Sequence, residues 1–543
     1  ITEYTHTDLT WFFDEWLNTP RTLDYGIESV KKGKEKNQYI IRFVRKGEMQ
    51  MPIDFTVTSE KDSTYNFYIP NSWFEKKTSA TKLPRWIGWG KVQPYYDATV
   101  TIPGGINKVQ IDTSNRFADI NMLNNTWPLP VKYYFDSKVN NSPDWNNYEA
   151  FFGPLLWYNG VDGVQLGIHM HGDYMLFMHN ISASVYLNTG ILQNISGSNP
   201  RQLVSGTFSY QTATEKFIHN SSVNFYTQSL DGLDEGKLRF QLKDNSNKYT
   251  FYTDGQVMYR PHVWDTTYLL YPKLWAPYKY NNTVRIGIKH DYKYSPSGKG
   301  NIDFNIRSSA FTQNYNYSQT TLTLINTQQL GKKLTLRTRL FGQYGTGNIP
   351  SESALYAAGA NPEQLMDNTF TRAEGIVPSA WTGYGNDANH FQQGGGLDLR
   401  GYAGYLFPPF DSRINYAYNY FNAYSGSTGA SVNAELEFNH LVHFNPKFLK
   451  NTFALSTYLF GDAGVINTVP IIYPINTTPS LVFSSIHADA GVGVALTIQR
   501  WGPLQLAKPL TVRFDMPFFL NQVPYAEQNY VQMRWVIGIG RAF

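Results

Sequence analysis

The 543-residue chain contains no cysteine. Disulfides, thiolate metal sites and cysteine nucleophiles are therefore excluded. Charged residues are also scarce, at 16% of the chain, against about 25% in an average soluble domain. Lysine and arginine number 46 against 42 acidic residues, and this near balance, without a basic run interleaved with aromatic residues, indicates no nucleic-acid partner.

Long apolar runs are missing as well. No stretch reaches the roughly 18 residues that a membrane-crossing helix needs, and the mean hydropathy is −0.39. Residues 1–11 have neither the basic region nor the apolar region of a signal peptide. Because the sequence starts with Ile1, we expect that it follows a cleavage or begins at an ordered piece of the protein.

The motifs of common enzyme classes are absent too. The sequence has no His-Glu-x-x-His, no Gly-x-Ser-x-Gly and no Gly-Lys-Ser/Thr, so it predicts no catalytic residue and no cofactor. His169 and His171 share a strand face and could begin a metal site. Two histidines alone do not close such a site, so no metal site is predicted and the pair is interpreted as lumen or interface residues.

Aromatic residues, in contrast, are abundant, with 39 tyrosines and 34 phenylalanines. Many aromatics and few charges, without an apolar helix, are typical of a transmembrane β-barrel. Strand-like alternation supports this class: Val284–Asp291 and Leu334–Leu340 each place aliphatic residues on one face and polar or basic residues on the other. Basic residues on the inward face predict a hydrated lumen.

The barrel pattern covers most of the chain. Phe453–Asp462 and His487–Ile498 are long enough to cross a bilayer, which takes about 9–11 strand residues. Residues 131–543, at roughly 26 per strand and loop, allow about 16 strands, an even number as closure requires. The predicted fold class is all-β, a transmembrane antiparallel barrel with an N-terminal periplasmic β-sandwich.

Four segments are predicted along the chain. Residues 1–20 contain a short amphipathic helix, interpreted as the tail of an upstream domain, with apolar positions Leu9, Phe12, Phe13, Trp16 and Leu17. Residues 21–126 show short alternating strands that predict an immunoglobulin-like β-sandwich. Residues 127–160, which open with two prolines, are a linker and the approach to the barrel. The barrel itself is placed at 161–543.

The longest segment without strand pattern runs from about 345 to 430, and a loop of this length is usually functional. It contains a glycine-rich stretch with Arg400 between apolar neighbours. A buried arginine needs a carboxylate partner. Glu435 and Glu437 share one strand face, and Asp462 lies between glycines. Spacing alone leaves open that these acids simply line a hydrated lumen.

Residues 131–543 resemble the outer-membrane protein 85 superfamily, which includes BamA-like insertases and two-partner secretion transporters. The resemblance rests on the motif Leu399, Arg400, Gly401 and Tyr402, and on 434–438, 460–464, 501–504, 512–517 and 539–543. In that family the motif lies on a loop after the eleventh strand and re-enters the lumen. The resemblance implies that Arg400 is held by Glu437 and Asp462, and that Phe543 is the terminal aromatic signal of the barrel.

The same resemblance implies a function. The chain is expected to insert or translocate polypeptides at a bacterial outer membrane, with its N-terminal domain in the periplasm. Expected partners are outer-membrane lipids and polypeptide substrates or other envelope proteins. A weak seam between the first and last strands, about 163–171 and 530–543, would admit a substrate strand. The periplasmic module usual in this family, the POTRA domain, is not recognisable here.

Residues 1–126 resemble the C-terminal part of an aminopeptidase N-like zinc metallopeptidase. The helix with Trp11–Trp16 resembles the end of its catalytic domain, and the following strands resemble its immunoglobulin-like domain. The zinc motif of that family is missing. Two alternatives therefore stay open: the barrel anchors a metallopeptidase whose catalytic domain lies upstream, or it is a structural subunit of a larger envelope complex.

Overall fold

The structure of the protein is a computed structural model. The structure describes residues 3, 6–88, 92–136, 143–193, 202–215, 217–261, 275, 278–294, 297–311, 314–331, 333–373, 375–377, 381, 390–403, 425–438, 452–468, 482–498, 510–523 and 529–543. The chain forms two compact units. The first consists of residues 1–135, 140–151 and 172–180, and the second of 136–139, 152–171 and 181–543.

The first unit is a two-sheet sandwich against which an α-helix packs. One sheet has the strand order β1-β2-β6 and the other β5-β4-β3-β7-β8. The elements are α1 (Thr10–Leu17), β1 (Tyr25–Lys32), β2 (Gln38–Arg45), β3 (Ile53–Ser59), β4 (Thr64–Ile69), β5 (Thr81–Lys82), β6 (Tyr95–Thr101), β7 (Ile106–Ile111) and β8 (Thr126–Trp127). The helix and the strands expected from the sequence pattern are present.

The core of the sandwich is apolar and aromatic. Every second residue of β3 is buried, as expected for a strand with one face on the core. Phe55 of β3 packs between Phe43 and Phe67, with ring centroids 4.7 Å and 5.0 Å apart. Trp11 and Trp16 of α1 cover this core. The helix therefore belongs to the same packed unit as the strands.

A closed antiparallel barrel contains most of the strands of the second unit. Its strands are β9 (Val131–Phe135), β10 (Tyr148–Asn159), β11 (Gly163–Tyr174), β12 (Met178–Asn188), β13 (Val204–Ala213), β14 (Ser221–Leu230), β15 (Leu233–Lys243), β16 (Tyr249–Tyr259), β17 (Thr283–Tyr294), β18 (Gly298–Ser309), β19 (Tyr317–Leu330), β20 (Leu334–Gly347), β24 (Gly429–Glu437), β25 (Phe453–Thr468), β27 (His487–Ile498), β28 (Leu510–Leu520) and β29 (Val536–Ile539). Short additions are β21 (Leu355–Tyr356), α2 (Pro362–Leu365), β22 (Phe391–Gln393), β23 (Ser425–Gly426) and β26 (Val482–Phe483).

The strand count agrees with the sequence. Within the described residues, the strands that succeed one another in the wall from β10 to β29, without the short β21, β22, β23 and β26, are sixteen. Strand β20 is the eleventh and β24 the twelfth of these. Because the strands alternate in direction, β29 ends at the same end of the barrel at which β10 begins. We call this the proximal end and the opposite one the distal end.

The outer face of the barrel is apolar. Ile286, Leu340 and Val432 leave 65%, 47% and 51% of their surface exposed, and Leu340 and Val432 are register partners on neighbouring strands. Exposed aliphatic residues in register over several strands form the lipid-facing band of a membrane-spanning barrel. In the part of the chain that the structure describes, no helix is long and apolar enough to cross a membrane.

The barrel begins earlier and ends differently from the sequence-based expectation. Strand β10 starts at Tyr148, so the boundary predicted at 161 and the first seam strand predicted at 163–171 are wrong. Pro154 and the aromatic run of β10 hide its alternation. The last strand, expected over 530–543, spans only Val536–Ile539. Gly540 takes a φ of +82°, which ends the extended conformation.

Candidate functional site

The loop between β20 and β24 re-enters the barrel and packs on the inner wall. Leu397, Leu399 and Tyr402 are fully buried and form one apolar cluster with Ile466 of β25 and Leu520 of β28. The loop starts at the distal end, because it follows the eleventh strand. The expected loop at about 345–430 corresponds to this segment in its described parts, and residues 404–424 lie outside the described residues.

Arg400 is the centre of the contact between loop and wall. Its Nε donates to Asp462 Oδ2 at 2.8 Å and its Nη2 to Asp462 Oδ1 at 3.0 Å. Its Nη1 donates to Glu435 Oε1 at 2.7 Å. All three side chains are buried, and the Arg400 Cζ lies 4.0 Å from the Phe460 ring centroid. The desolvated guanidinium is thus paired on its polar edge and stacked on its face.

Glu437, the acid that the family resemblance assigned to Arg400, is not its partner. Glu435 takes that place, and Glu437 instead accepts from Arg541. The two glutamates share a strand face, so spacing did not separate them. They lie about 7 Å apart along the strand, and only Glu435 is at the depth of Arg400. Of the two acids expected as acceptors, Asp462 contacts the arginine and Glu437 does not.

The wall carries a polar row at the level of Arg400. Arg339 of β20, Asn433 of β24, Asp462 of β25 and Asp489 of β27 are successive register partners on four strands. Arg339 Nη1 donates to Asn433 Oδ1 at 2.9 Å, and Asn433 Nδ2 donates to Asp462 Oδ1 at 3.1 Å. The acid that receives Arg400 is therefore already held by its neighbours in the wall, which reduces the reorganisation that docking requires.

The other residues of the motif also touch their surroundings closely. A Cβ at Gly401 would lie 2.6 Å from Asp489 Cβ, so only glycine allows the loop to approach β27 this closely. The Tyr402 hydroxyl donates to Asn521 Oδ1 at 3.1 Å. The Leu399 backbone N–H donates to the Ala357 carbonyl at 2.9 Å. Each residue of Leu399–Tyr402 thus contributes a separate contact to the docked loop.

A second anchor of the loop was not predicted from the sequence. Glu363 of α2 is buried and accepts from Arg307 Nη1 at 2.9 Å, from Ser353 Oγ at 2.7 Å and from Gln256 Nε2 at 3.0 Å. Arg372 adds an ion pair with Asp231 at 3.2 Å. The sequence signal that could have found α2 is its capping box, in which Asn361 and Gln364 bond reciprocally.

The loop also covers the edge of the last barrel strand. Strand β22 pairs in parallel with β29, with Phe391 opposite Ile537 and Gln393 opposite Ile539. The Ile537 N–H donates to the His390 carbonyl at 2.6 Å, and the His390 ring stacks on Trp535 at 3.7 Å. Because β28 occupies one edge of β29, β22 occupies the other.

The ladder of β29 is short compared with its neighbours. Val536–Ile539 form a ladder of four residues with β28, and Val531 adds an isolated bridge to Phe519, whereas the β19–β20 ladder runs from Tyr317 to Leu330. Few ladder pairs mean few backbone hydrogen bonds to break. By this measure the β28–β29 ladder is easier to separate than the β19–β20 ladder.

The residues after β29 turn towards the lumen. Arg541 binds Glu435 Oε2 at 3.1 Å as well as Glu437. Arg337 Nη2 donates to the Phe543 carbonyl at 2.6 Å, and its Cζ lies 5.9 Å from the Phe543 ring. Alternation fails here because Gly540 ends the strand. Phe543 thus contacts an inward-facing arginine, rather than only the interface with lipid.

A polar cavity of about 710 Å³ lies in the lumen beside the docked loop. Its lining includes Lys237, Arg239, Asp254, Arg285, Arg307 and Glu363. Arg239 forms a bidentate pair with Asp254, at 2.6 Å and 2.7 Å. Paired charges around open space fit the hydrated lumen that the sequence predicted.

Comparison with known proteins gives similarity of fold. Neither a protein-family model nor a curated protein matches the sequence. Among solved structures, the chain is similar to BamA from Haemophilus ducreyi lacking POTRA domains 1–3, with a TM-score of 0.39, 14% identity and coverage of 72% of this chain and 70% of that one. It is also similar to CdiB from Escherichia coli, with a TM-score of 0.35, 11% identity and coverage of 73% and 63%.

A third similar structure is a BenF-like porin from Pseudomonas fluorescens Pf-5, with a TM-score of 0.33, 9% identity and coverage of 95% of both chains. Of the CdiB chain from Escherichia coli, this chain covers 63%, which is less than two thirds. At identities of 14% and below, these similarities concern architecture alone, so function has to be argued from the residues described above.

Proposed function

We propose that this protein is an outer-membrane barrel that inserts or translocates polypeptides, and that Leu399–Tyr402 forms an internal latch, with Asp462 and Glu435 as its acceptors. The observation that carries the proposal is the fully buried Arg400 with its bidentate contact to Asp462. A charge cluster this dry is costly to assemble, so its presence on a loop that reaches the lumen favours a positional role over general stability. The exposed aliphatic residues on the outside of the barrel support a location in a membrane. The proposal places the sandwich in the periplasm.

In the proposed mechanism, β29 is the strand that receives a substrate. A polypeptide in extended conformation would add by β-augmentation to the edge of β29 that faces away from β28. That edge is held by β22 of the loop, so β22 must leave before a substrate strand pairs. The short ladder between β28 and β29 makes this end of the wall suited to opening.

The latch would keep the loop in register while β22 moves. Arg400 holds the loop to β24 and β25, which β27 and β28 separate from β29 along the wall. Local release of β22 then does not require the whole loop to leave the lumen. Glu363, through Arg307, fixes the beginning of the loop in the same way.

The absence of cysteine allows a direct test. In the Q393C/I539C variant, the two positions are register partners of β22 and β29, and a disulfide would hold the edge covered. The purified chain in liposomes is expected to accelerate the folding of a urea-denatured outer-membrane barrel substrate when reduced, and to lose that acceleration when oxidised. The matched control is T323C/F341C, a register pair of β19 and β20, which should be active in both states.

An anchoring role is the second candidate, because the loop packs on the inner wall of the barrel and covers the edge of β29. The protein could instead only anchor a metallopeptidase domain or a larger envelope complex. In that case liposomes that contain the Q393C/I539C variant would not accelerate substrate folding, whether the variant is reduced or oxidised. That result would overturn the insertion proposal, and copurification with stoichiometric envelope proteins would then favour the structural role. If the oxidised Q393C/I539C variant stays as active as the reduced one, the β29 edge is not the substrate site.

A further inference from the structure

Three side chains that are distant in sequence meet on the inner side of β11. His169 and His171 lie two residues apart on the face opposite Leu166 and Ile168, whose side chains are exposed on the outside. The two imidazole rings are parallel within 12°, with centroids 5.9 Å apart. Asp136, the residue after β9, lies against both: its Oδ2 is 2.6 Å from His169 Nε2, and its Oδ1 is 3.6 Å from His171 Nδ1.

These three groups have the geometry of ligands to one metal ion. One nitrogen of each histidine and a carboxylate oxygen all lie within 4.8 Å of one another. Ligands of a tetrahedral zinc ion at 2.0–2.1 Å would be about 3.3 Å apart, so shifts of a fraction of an ångström to about 1.5 Å complete the arrangement. Two imidazoles and a carboxylate form a donor set that suits a borderline divalent cation such as Zn²⁺.

The carboxylate is positioned for this role. The Asp136 backbone N–H donates to the Phe152 carbonyl of β10 at 3.0 Å, which fixes the residue beside the wall. Its Oδ1 is buried and has no hydrogen-bond partner, although a buried acceptor normally has one. The side chains of His169, His171 and Asp136 keep between 18% and 27% of their surface exposed, which leaves a path for a hydrated ion.

Gly153 of β10 makes room for the cluster. A Cβ at this position would lie 2.6 Å from His169 Nε2 and 2.9 Å from Asp136 Oδ2. A methyl group would therefore occupy the space between two of the proposed ligand atoms. An ion bound to both atoms lies about 2 Å from each of them, so a methyl group this close would compete with it for space.

We propose that Asp136, His169 and His171 form a binding site for a single Zn²⁺ ion, with water in the fourth position. The ion ties the residue after β9 to β11 through bonds that neither strand ladder supplies. Binding to the folded state alone then stabilises this part of the barrel in proportion to the logarithm of free zinc. The site is independent of the Arg400 latch and of the proposed transport function.

The test is a zinc titration of the whole chain, purified without a histidine tag in detergent micelles and stripped with a chelator. In competition with a chromophoric chelator, the unmodified chain should bind one equivalent of Zn²⁺. His171→Ala and Asp136→Asn should weaken binding at least tenfold. Gly153→Ala should weaken it similarly, although it removes no ligand. X-ray absorption of the zinc-loaded chain should show two imidazoles in the coordination shell.

His290→Ala is the matched control, since His290 lies in β17 and its ring stacks on Tyr249 at 4.3 Å. It should bind zinc like the unmodified chain, and retained heat-modifiable mobility on gels should show that each variant is folded. The proposal is overturned if the unmodified chain does not compete for zinc. It is also overturned if the folded Gly153→Ala and Asp136→Asn variants bind as tightly as the His290→Ala control.

Discussion

The two units of this chain bury opposite kinds of side chain in their interiors. The sandwich buries Phe43, Phe55 and Phe67 in a dry aromatic core. The barrel buries Arg400, Asp462 and Glu435 in its centre and exposes its aliphatic side chains on the outside. Alternating strands build both, and only the solvent facing the outer side differs. A water-facing sheet hides its apolar face, whereas a lipid-facing sheet has to hide its polar one.

The two interiors differ in how strictly they select the residues that pack in them. An apolar core tolerates neighbours of similar shape and size, because dispersion and the hydrophobic effect have little directionality. A charged core accepts only partners with matching geometry, because an unpaired buried charge is very costly. The loop is therefore held in one position by few residues.

Arg400→Ala should produce the largest loss of stability. Removing one partner of a buried ion pair costs about 3–5 kcal/mol, since the remaining charge stays uncompensated, and here two acids lose their partner. The urea concentration at which heat-modifiable mobility is lost should fall markedly. The control is Arg239→Ala, which also breaks a bidentate pair but at a side chain that is 47% exposed, so about 1 kcal/mol or less is expected. If both changes lowered this urea concentration equally, the Arg400 ion pairs would not be more important for stability than a partly exposed pair, and the latch would not be a desolvated charge cluster.

Phe55→Ala should destabilise the sandwich by about 3–5 kcal/mol, because it leaves a cavity between Phe43 and Phe67. The barrel should keep its heat-modifiable mobility, since its interior does not depend on this core. Limited proteolysis of the sandwich under native conditions measures the first effect, and gel mobility measures the second. Loss of both together would show that the two interiors are not energetically separate.

The sandwich should also lose stability as the pH rises from about 4 to about 6. Burial raises the pKa of the Asp119 carboxyl from 3.8 to about 6, although the backbone N–H groups of Asn121 and Tyr25 partly oppose this. A carboxyl whose pKa is raised on folding binds its proton more tightly in the folded state. Its contribution is therefore fully present below about pH 4 and is lost as the pH rises through 6, by about 3 kcal/mol at most.

Proteolysis of the sandwich at a series of pH values measures this dependence. Asp119→Asn should flatten it, because an amide keeps a similar shape without titrating. If the asparagine variant shows the same slope between pH 4 and 6 as the unmodified chain, another group is responsible.

Arg541→Ala should have the smallest effect, about 1 kcal/mol on the unfolding of the barrel. The side chain is 22% exposed, and Glu435 keeps Arg400 as a partner after the change. Urea titration followed by gel mobility should place it close to Arg239→Ala and far from Arg400→Ala. A loss as large as that of Arg400→Ala would mean that Glu435 depends on both arginines. Arg541 would then have to be counted as part of the latch.

Much of the architecture could be predicted because strand alternation is a local property. The strands around Val284–Asp291 and Leu334–Leu340 and the count of about sixteen followed from residue order and bilayer thickness. The start of the barrel at Tyr148 could not be predicted, since Pro154 and adjacent aromatics mask the period of two. The site was predictable in part: a charge between apolar residues needs an acid, and Asp462 was among the candidates.

The remaining contacts are decided by strand register. Whether Glu435 or Glu437 meets Arg400 depends on the depth at which the loop docks, and sequence spacing carries no information on depth. The same holds for Asp136, which reaches His169 and His171 only through the packing beside β10 and β11. Residue types and their order thus determined the all-β class, the lipid-facing exterior and the need for a partner to Arg400. Tertiary structure alone decided which partner it has, because charged contacts depend on distances of a few ångströms, and the folded chain sets those distances.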